Sequence, residues 1–142
     1  MPGFKFGAPP ENRTRFQGAV GMKKVYGLDF KFVPLAIGLR YQALDSGKID
    51  VAAVFTTEGQ LADKGMYTIL SDPKGIFGFQ NITPVISKKK LDAMGPEFQD
   101  TVNAVTSKLT NEALQKMNGA VDLDKQKPAE VAKQFLQANG LL

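Results

Sequence analysis

36-AIGLRYQALDSGKIDVAAVFTTEG-59 is the stretch that decides the fold. Residues 36–47 carry Ile37, Leu39, Tyr41 and Leu44 and stop at Ser46-Gly47, which reads as a helix closed by a glycine. Residues 49–55, IDVAAVF, are a near-continuous apolar run. Such a run predicts a strand buried on both faces. Thr56-Thr57-Glu58 then reads as the N-cap of a helix over 56–65. A helix, a doubly buried strand and a second helix in direct succession belong to a parallel sheet with crossovers.

The same order extends outward. FKFGA (4–8) reads as a strand, residues 11–26 as a helix stopped by Gly27, and DFKFVPL (29–35) as a strand with Phe30 and Phe32 alternating. YTILSD (67–72) reads as a further strand. The β-α-β-α-β-α-β order predicts an α/β layer structure with a mainly parallel sheet. Residues 73–84 are punctuated by Gly and Pro and read as a connector. ITPVIS (82–87) reads as a strand, with Pro84 placing it at an edge or a bend.

Beyond it the pattern turns helical. Short helical character at 89–95 precedes a stripe of Phe98, Val102, Val105 and Leu109 within 96–110. Thr110 caps a helix over 110–121, and Pro128 lies in the first turn of one over 127–140 that carries Val131 and Phe135. The switch of pattern near 81–88 divides the chain into 1–81 and 82–142.

Composition removes several function classes. The 142 residues have a net charge of +4, with 43% apolar and 23% charged side chains, as in a globular domain or two small lobes. The charge is spread: residues 1–81 hold 10 basic and 7 acidic groups, residues 82–142 hold 8 and 7, and 88-KKK-90 is the one basic run. A nucleic-acid surface concentrates its cations, so nucleic acid is not an expected partner. The chain has no Cys and no His. That excludes disulfides, thiol nucleophiles, zinc fingers and imidazole acid–base chemistry. No apolar run reaches the length of a membrane span. The opening residues, MPGFKFG (1–7), lack the apolar core of a signal peptide. Gly-rich phosphate loops are missing, and no spacing assembles a catalytic set. The expectation is a binding protein rather than an enzyme, with no cofactor and no metal.

Three stretches lie where an open α/β sheet places its ligands, at carboxyl ends of strands. In 7-GAPPENRTR-15 two cations stand at a predicted helix start, where the dipole disfavours positive charge. Arg15, and after it Arg13, is either solvated surface charge or a fork aimed at a carboxylate or phosphate. In 55-FTTEG-59, Phe55 offers a ring face and Thr56 and Thr57 offer hydroxyls; a plain N-cap accounts for one Thr. In 76-IFGFQN-81, aromatic residues in a Gly-containing connector form either a pocket wall or core filling at a lobe junction.

The stretches FKFGAPPENRTR (4–15), GMKKVYGLDF (21–30), GLRYQALDSGKIDVAAVFTTEGQL (38–61), NITPVISKKKLD (81–92) and the tail from Leu109 to Leu142 resemble the substrate-binding proteins of ABC importers for glycine betaine, choline and related osmoprotectants. The resemblance covers essentially the whole chain. It implies a hinged, periplasmic-binding-protein type II clamshell of two α/β lobes, in proteins about twice this length. It implies that 1–81 is the second, ligand-binding lobe and that 82–142 is a crossover strand with C-terminal helices that pack on lobe one, whose N-terminal half is missing from this chain.

The ligand implied is a zwitterionic or quaternary-ammonium solute held by an aromatic cage and by donors to its carboxylate. By position, Arg15 is the carboxylate-binding Arg, Phe55 or Thr56 a pocket residue, and Phe79 or Gln80 the place of a cage tyrosine; no Tyr stands in either motif. The resemblance also implies an ABC transporter membrane subunit as partner and an extracytoplasmic location. Uncovered helix stripes imply a homodimer formed by exchange of the C-terminal helices. The alternative is a truncated or engineered assembly module that self-associates without binding a ligand.

Overall fold

Phe4–Ala8 (β1) pairs in parallel with Phe30–Pro34 (β2), in the register Phe4↔Phe30, Phe6↔Phe32 and Ala8↔Pro34. The computed structural model describes residues 3–142; Met1 and Pro2, part of the stretch read for a leader, lie outside them. Val51–Ala52 (β3) pairs in parallel with the other side of β1, giving the order β2-β1-β3. Alternation along β1 and β2 gathers four phenylalanines on one face. Phe30 lies 5.3 Å from both Phe4 and Phe6, and Phe6 lies 6.0 Å from Phe32.

Each face of this sheet is covered. The helix Gly21–Tyr26 (α1) follows β1 and lays Met22 on Phe6, Ala8, Ala19, Phe30 and Ile76. The helix Arg40–Asp45 (α2) lies against the opposite face, where Leu35, Ala43 and Ile49 are buried together. This is the layered α/β arrangement with a parallel sheet that the chain predicts.

The regular part of β3 is shorter than the expected 49–55. Pairing nevertheless continues on both sides of it: Asp50 N donates to Lys5 O and Ala53 N to Gly7 O, each at 3.0 Å. Lys5 N donates in turn to the Asp50 carboxylate at 2.8 Å.

Several expected elements take another form. The single helix over 11–26 is a 3₁₀ turn at Pro10–Arg13, an extended Arg15 (φ −73°, ψ 144°), a π-type turn at Phe16–Val20 and only then α1. Helical backbone is also lost at Gln17 (φ −73°, ψ 42°) and Gly18 (φ −164°, ψ −138°). Gly18 packs its backbone on Asn12, so closely that a Cβ there would lie 2.4 Å from the Asn12 carbonyl oxygen. The helix over 56–65 is reduced to a 3₁₀ turn at Gly59–Ala62, capped by backbone alone at Glu58. Neither 67–72 nor 82–87 is a strand. Their apolar residues have no adjacent edge: Leu70 is 70% exposed and Val85 91%. A β-favouring sequence forms a strand only where a neighbour supplies the ladder.

Four further helices complete the chain: Lys88–Met94 (α3), Pro96–Thr106 (α4), Asn111–Asp122 (α5) and Pro128–Ala138 (α6). Thr110 caps α5 by accepting from Ala113 N at 3.1 Å, and Pro128 opens α6. The chain forms two units. One comprises residues 1–55 and 69–80; the other comprises 56–68 and 81–142. Residues 56–68, read from sequence with the first lobe, therefore group with the C-terminal helices.

Candidate functional site

In the first unit the parallel order of β1, β2 and β3 brings three chain exits to one sheet edge. Arg13 and Arg15 follow β1, Ile37 and Leu39 follow β2, and Phe55 follows β3. The two cations precede the regular helix rather than open it, so the helix-dipole conflict expected from sequence does not arise. Arg13 lays its guanidinium over the Phe32 ring, 5.1 Å from the centroid. It is thereby engaged on the flank of β2. Arg15 is exposed, and its guanidinium has no hydrogen-bond or ion-pair partner among the described residues. Phe55 leaves half of its surface open at 53%.

Arg40 is the residue that sequence reasoning missed. It is 1% exposed, and its guanidinium donates to Ile37 O at 3.0 Å and to Ala53 O. It thus joins the exit of β2 to the exit of β3. A charge-assisted bond from a buried guanidinium is among the stronger ties a loop can have. Nothing in LRYQAL marks Arg40 as buried, because one arginine on an amphipathic helix reads as a solvent-facing residue.

Phe79 and Gln80 lie at the end of the connector 69–80, and Phe79 is fully exposed. The connector is fastened upstream. The Tyr26 hydroxyl donates to one oxygen of Asp72 and accepts from Lys74 N at 2.8 Å. The other Asp72 oxygen accepts from Phe77 N at 2.8 Å. Lys74 Nζ donates to Val25 O at 2.6 Å and lies 5.1 Å from the centre of the Tyr26 ring. The hydrogen bond from Tyr26, followed by that from Phe77, holds the Asp72 carboxyl below its ordinary range. Partial burial, then the bond to Asp72, pushes the Tyr26 hydroxyl up. These partners are far apart in sequence, and no local pattern announces them.

Thr56 and Thr57 belong to the second unit, where the side-chain amides of α5 hold their carbonyls. Gln115 Nε2 donates to Thr56 O at 2.6 Å, and Asn118 Nδ2 donates to Thr57 O at 2.7 Å. Gly59 rests directly on Gly119 in the middle of α5. A groove of about 690 Å³ runs along α5 and α6, lined by Lys108, Met117, Val131 and Phe135 among others. None of the sequence candidates lines it. Among the described residues no cluster of acidic side chains could hold a metal ion.

The first unit by itself offers an exposed guanidinium, Arg15, and a half-open ring, Phe55, at one sheet edge. A guanidinium is a chemical match for a carboxylate or phosphate.

Comparison with known proteins shows the family. Residues 3–138 match the family described as the substrate binding domain of the ABC-type glycine betaine transport system. A glycine-betaine-binding protein of Pseudomonas aeruginosa is 33% identical over 140 residues, covering 96% of this chain and 44% of that protein. An ergothioneine transport permease/ergothioneine binding protein of Helicobacter pylori is 32% identical, covering 97% of this chain and 25% of its own length. A solved structure of a glycine betaine/carnitine/choline ABC transporter superposes with a TM-score of 0.75 at 31% identity, over 97% of this chain and 50% of that one. The chain therefore spans half or less of the length of these relatives.

Proposed function

The chain belongs to the family of substrate-binding domains of ABC-type glycine betaine transport systems, and on that premise we propose that it binds a small zwitterionic or quaternary-ammonium solute, without catalysis, for an ABC importer. Members of this family bind solutes rather than transform them. The observation that carries the reading is Arg15, whose exposed guanidinium has no partner among the described residues and follows β1 at the sheet edge where Phe55 follows β3.

In this reading Arg15 pairs with a solute carboxylate and Arg13 supports the local positive field. Phe55 and Phe79 supply ring faces to the ammonium, and Thr56, Thr57 and Gln80 supply polar contacts. Residues 1–81 are the ligand-binding lobe in this reading, and 82–142 are the crossover and the C-terminal helices. The membrane subunit of an ABC transporter is the partner, and the location is extracytoplasmic.

Thermal unfolding and calorimetry with glycine betaine, carnitine, choline and ergothioneine test this. A bound solute at one hundred times its dissociation constant stabilises by about 2.7 kcal/mol, several degrees for a chain of this size. Arg15→Ala removes a charge-assisted contact worth about 1.5–3 kcal/mol, which weakens carboxylate-bearing solutes about 10- to 100-fold and leaves choline, which has none, unchanged. Equal affinity of wild type and Arg15→Ala for glycine betaine sinks the assignment of Arg15.

Exposed apolar side chains favour a second reading, self-association. Ile82 is 59% and Val85 91% exposed in an unpaired β-favouring segment. Light scattering across a concentration series tests it, and a constant monomer mass rejects a homodimer.

A further inference from the structure

The connector 69–80 is held to α1 at both ends of that helix. Its upstream end meets Tyr26, the last residue of α1, through Asp72 and Lys74. Four residues later Ile76, 3% exposed, packs at the start of α1, where a Cβ built on Gly21 would lie 3.4 Å from the Ile76 Cβ. The start of α1 is the end nearest the carboxyl edge of β1, because the chain enters the helix from that edge and returns along it toward β2. The connector therefore runs back along α1 toward the edge that carries Arg15. Phe77 to Gln80 follow from there.

Core packing accounts for Ile76 alone. Phe77 is directed by a different device: its N–H donates to the Asp72 oxygen that Tyr26 does not use. The carboxylate thus bridges a hydroxyl on α1 and a backbone amide immediately before Gly78, Phe79 and Gln80. The Tyr26 oxygen is itself held from the other side by Lys74 N. Every polar atom of the bridge has a fixed partner, so the path of the chain into Phe79 is set by two side chains that do not themselves lie among the solute candidates.

We propose that Tyr26 and Asp72 are positioning residues that fix residues 77–80 for solute binding, an assignment that rests on the solute-binding reading above. Two variants carry the test. Tyr26→Phe keeps the ring against Lys74 and removes the hydroxyl; Asp72→Asn keeps one acceptor oxygen where the carboxylate uses two.

The amide signal of Phe77, read by heteronuclear NMR, reports the bridge directly. In wild type it is shifted downfield by the carboxylate and slow to exchange. In both variants it moves upfield and exchanges about tenfold faster or more. Calorimetry with glycine betaine and carnitine then gives an affinity about tenfold weaker in each variant, since the solute must now order the segment itself. Val131→Ala, a core truncation in α6 of the other unit, lowers the melting temperature and leaves both the Phe77 signal and the affinity at wild-type values. That separates positioning from a general loss of stability.

Wild-type affinity in a variant whose Phe77 signal has moved overturns the proposal, and so does a Phe77 amide already unprotected in wild type. A wild-type chain that binds none of the solutes refutes the solute-binding reading, and this assignment with it. Binding in wild type that both variants retain refutes this assignment alone.

Discussion

Gly59→Ala and Gly119→Ala add the same methyl group to the two sides of one contact, and the structure assigns them opposite consequences. A Cβ on Gly59 would lie 2.4 Å from Gly119 N, 2.6 Å from Gly119 Cα and 2.8 Å from the carbonyl carbon of Asn118. All three are backbone atoms of α5, so no side chain can turn aside. Ordinary separation for such atoms is about 3.5 Å or more, so α5 and the 59–62 turn must part by about 1 Å. The amides of Gln115 and Asn118, now 2.6 and 2.7 Å from the carbonyls of Thr56 and Thr57, would then lie near or beyond hydrogen-bonding distance. Overpacking of about 1–3 kcal/mol, with about 1 kcal/mol for each of the two weakened bonds, gives a loss of about 3–5 kcal/mol.

A Cβ on Gly119 meets only Gly59 O at 3.6 Å and Gly59 Cα at 3.8 Å, which is ordinary contact. Alanine inside a helix is better than glycine by about 0.8–1 kcal/mol, so Gly119→Ala is neutral to stabilising by about that amount. Urea unfolding followed by far-ultraviolet circular dichroism measures both, with unchanged slopes required for the comparison. A Gly59→Ala midpoint equal to wild type, or a Gly119→Ala loss as large as that of Gly59→Ala, refutes the steric reasoning.

Three other outcomes follow from the same geometry. Arg40→Met leaves the Ala53 carbonyl without its buried donor, while the exposed Ile37 carbonyl can turn to water; the expected loss is about 2–3 kcal/mol in thermal or urea unfolding, and a loss below about 1 kcal/mol counts against the tie. Gly18→Ala drives a methyl group into the Asn12 backbone, costs about 1–3 kcal/mol and displaces Arg15, so carboxylate-bearing solutes weaken more than choline does; equal weakening of both would reject the link to Arg15. The Asp72 carboxyl is depressed by its bond from Tyr26, so its contribution is complete above its ordinary 3.8 and is lost as pH falls through the lower folded value; the Tyr26 hydroxyl is raised chiefly by burial, so its contribution is complete below 10.0 and is lost as pH rises through the higher folded value. Melting temperature against pH should therefore flatten on the acid side in Asp72→Asn and on the alkaline side in Tyr26→Phe, and acid limbs that run parallel in wild type and Asp72→Asn contradict the assignment.

Elements whose causes are local were legible in the sequence. Alternation in FKF and DFKF placed β1 and β2, because one register brings all four rings to a single face. Thr110 and Pro128 marked the starts of α5 and α6 because a cap acts within its own turn. Errors arose where formation depends on a distant neighbour. YTILSD and ITPVIS have strand composition, yet no sheet edge adjoins them, and their side chains stand in solvent. The 11–26 segment has enough helical residues for four turns, but the extended Arg15 and the contact of Gly18 with Asn12 break it before Gly21. The same limit applies to the candidate site. Arg15 stands out as a candidate in the sequence because it lies beside a strand end. Arg40 was missed because its burial is decided by Ile37 and Ala53, on two different loops.

The ties around the candidate residues share one chemical feature: they act on the main chain. Arg40 holds the carbonyl of Ala53, two residues before Phe55. Asp72 holds the amide of Phe77, two residues before Phe79. Gln115 and Asn118 hold the carbonyls of Thr56 and Thr57 themselves. Each tie restricts a loop whose backbone would otherwise lose conformational entropy on binding, about 1–2 kcal/mol for each residue ordered. None of them occupies the Thr56 or Thr57 hydroxyl or the Arg15 guanidinium. A loop fixed through its backbone can present its side chains to a solute without ordering itself at the moment of contact, which is how preorganisation raises affinity without adding a contact. On the proposed solute-binding reading, substitutions at Arg40, Asp72, Gln115 and Asn118 should therefore weaken binding through the ordering of the loops, while those at Arg15 and Phe79 should act on the solute directly. Heat capacity changes separate the two classes: binding that must also fold a loop buries more surface and shows a more negative value than wild type, whereas loss of a direct contact leaves that value nearly unchanged.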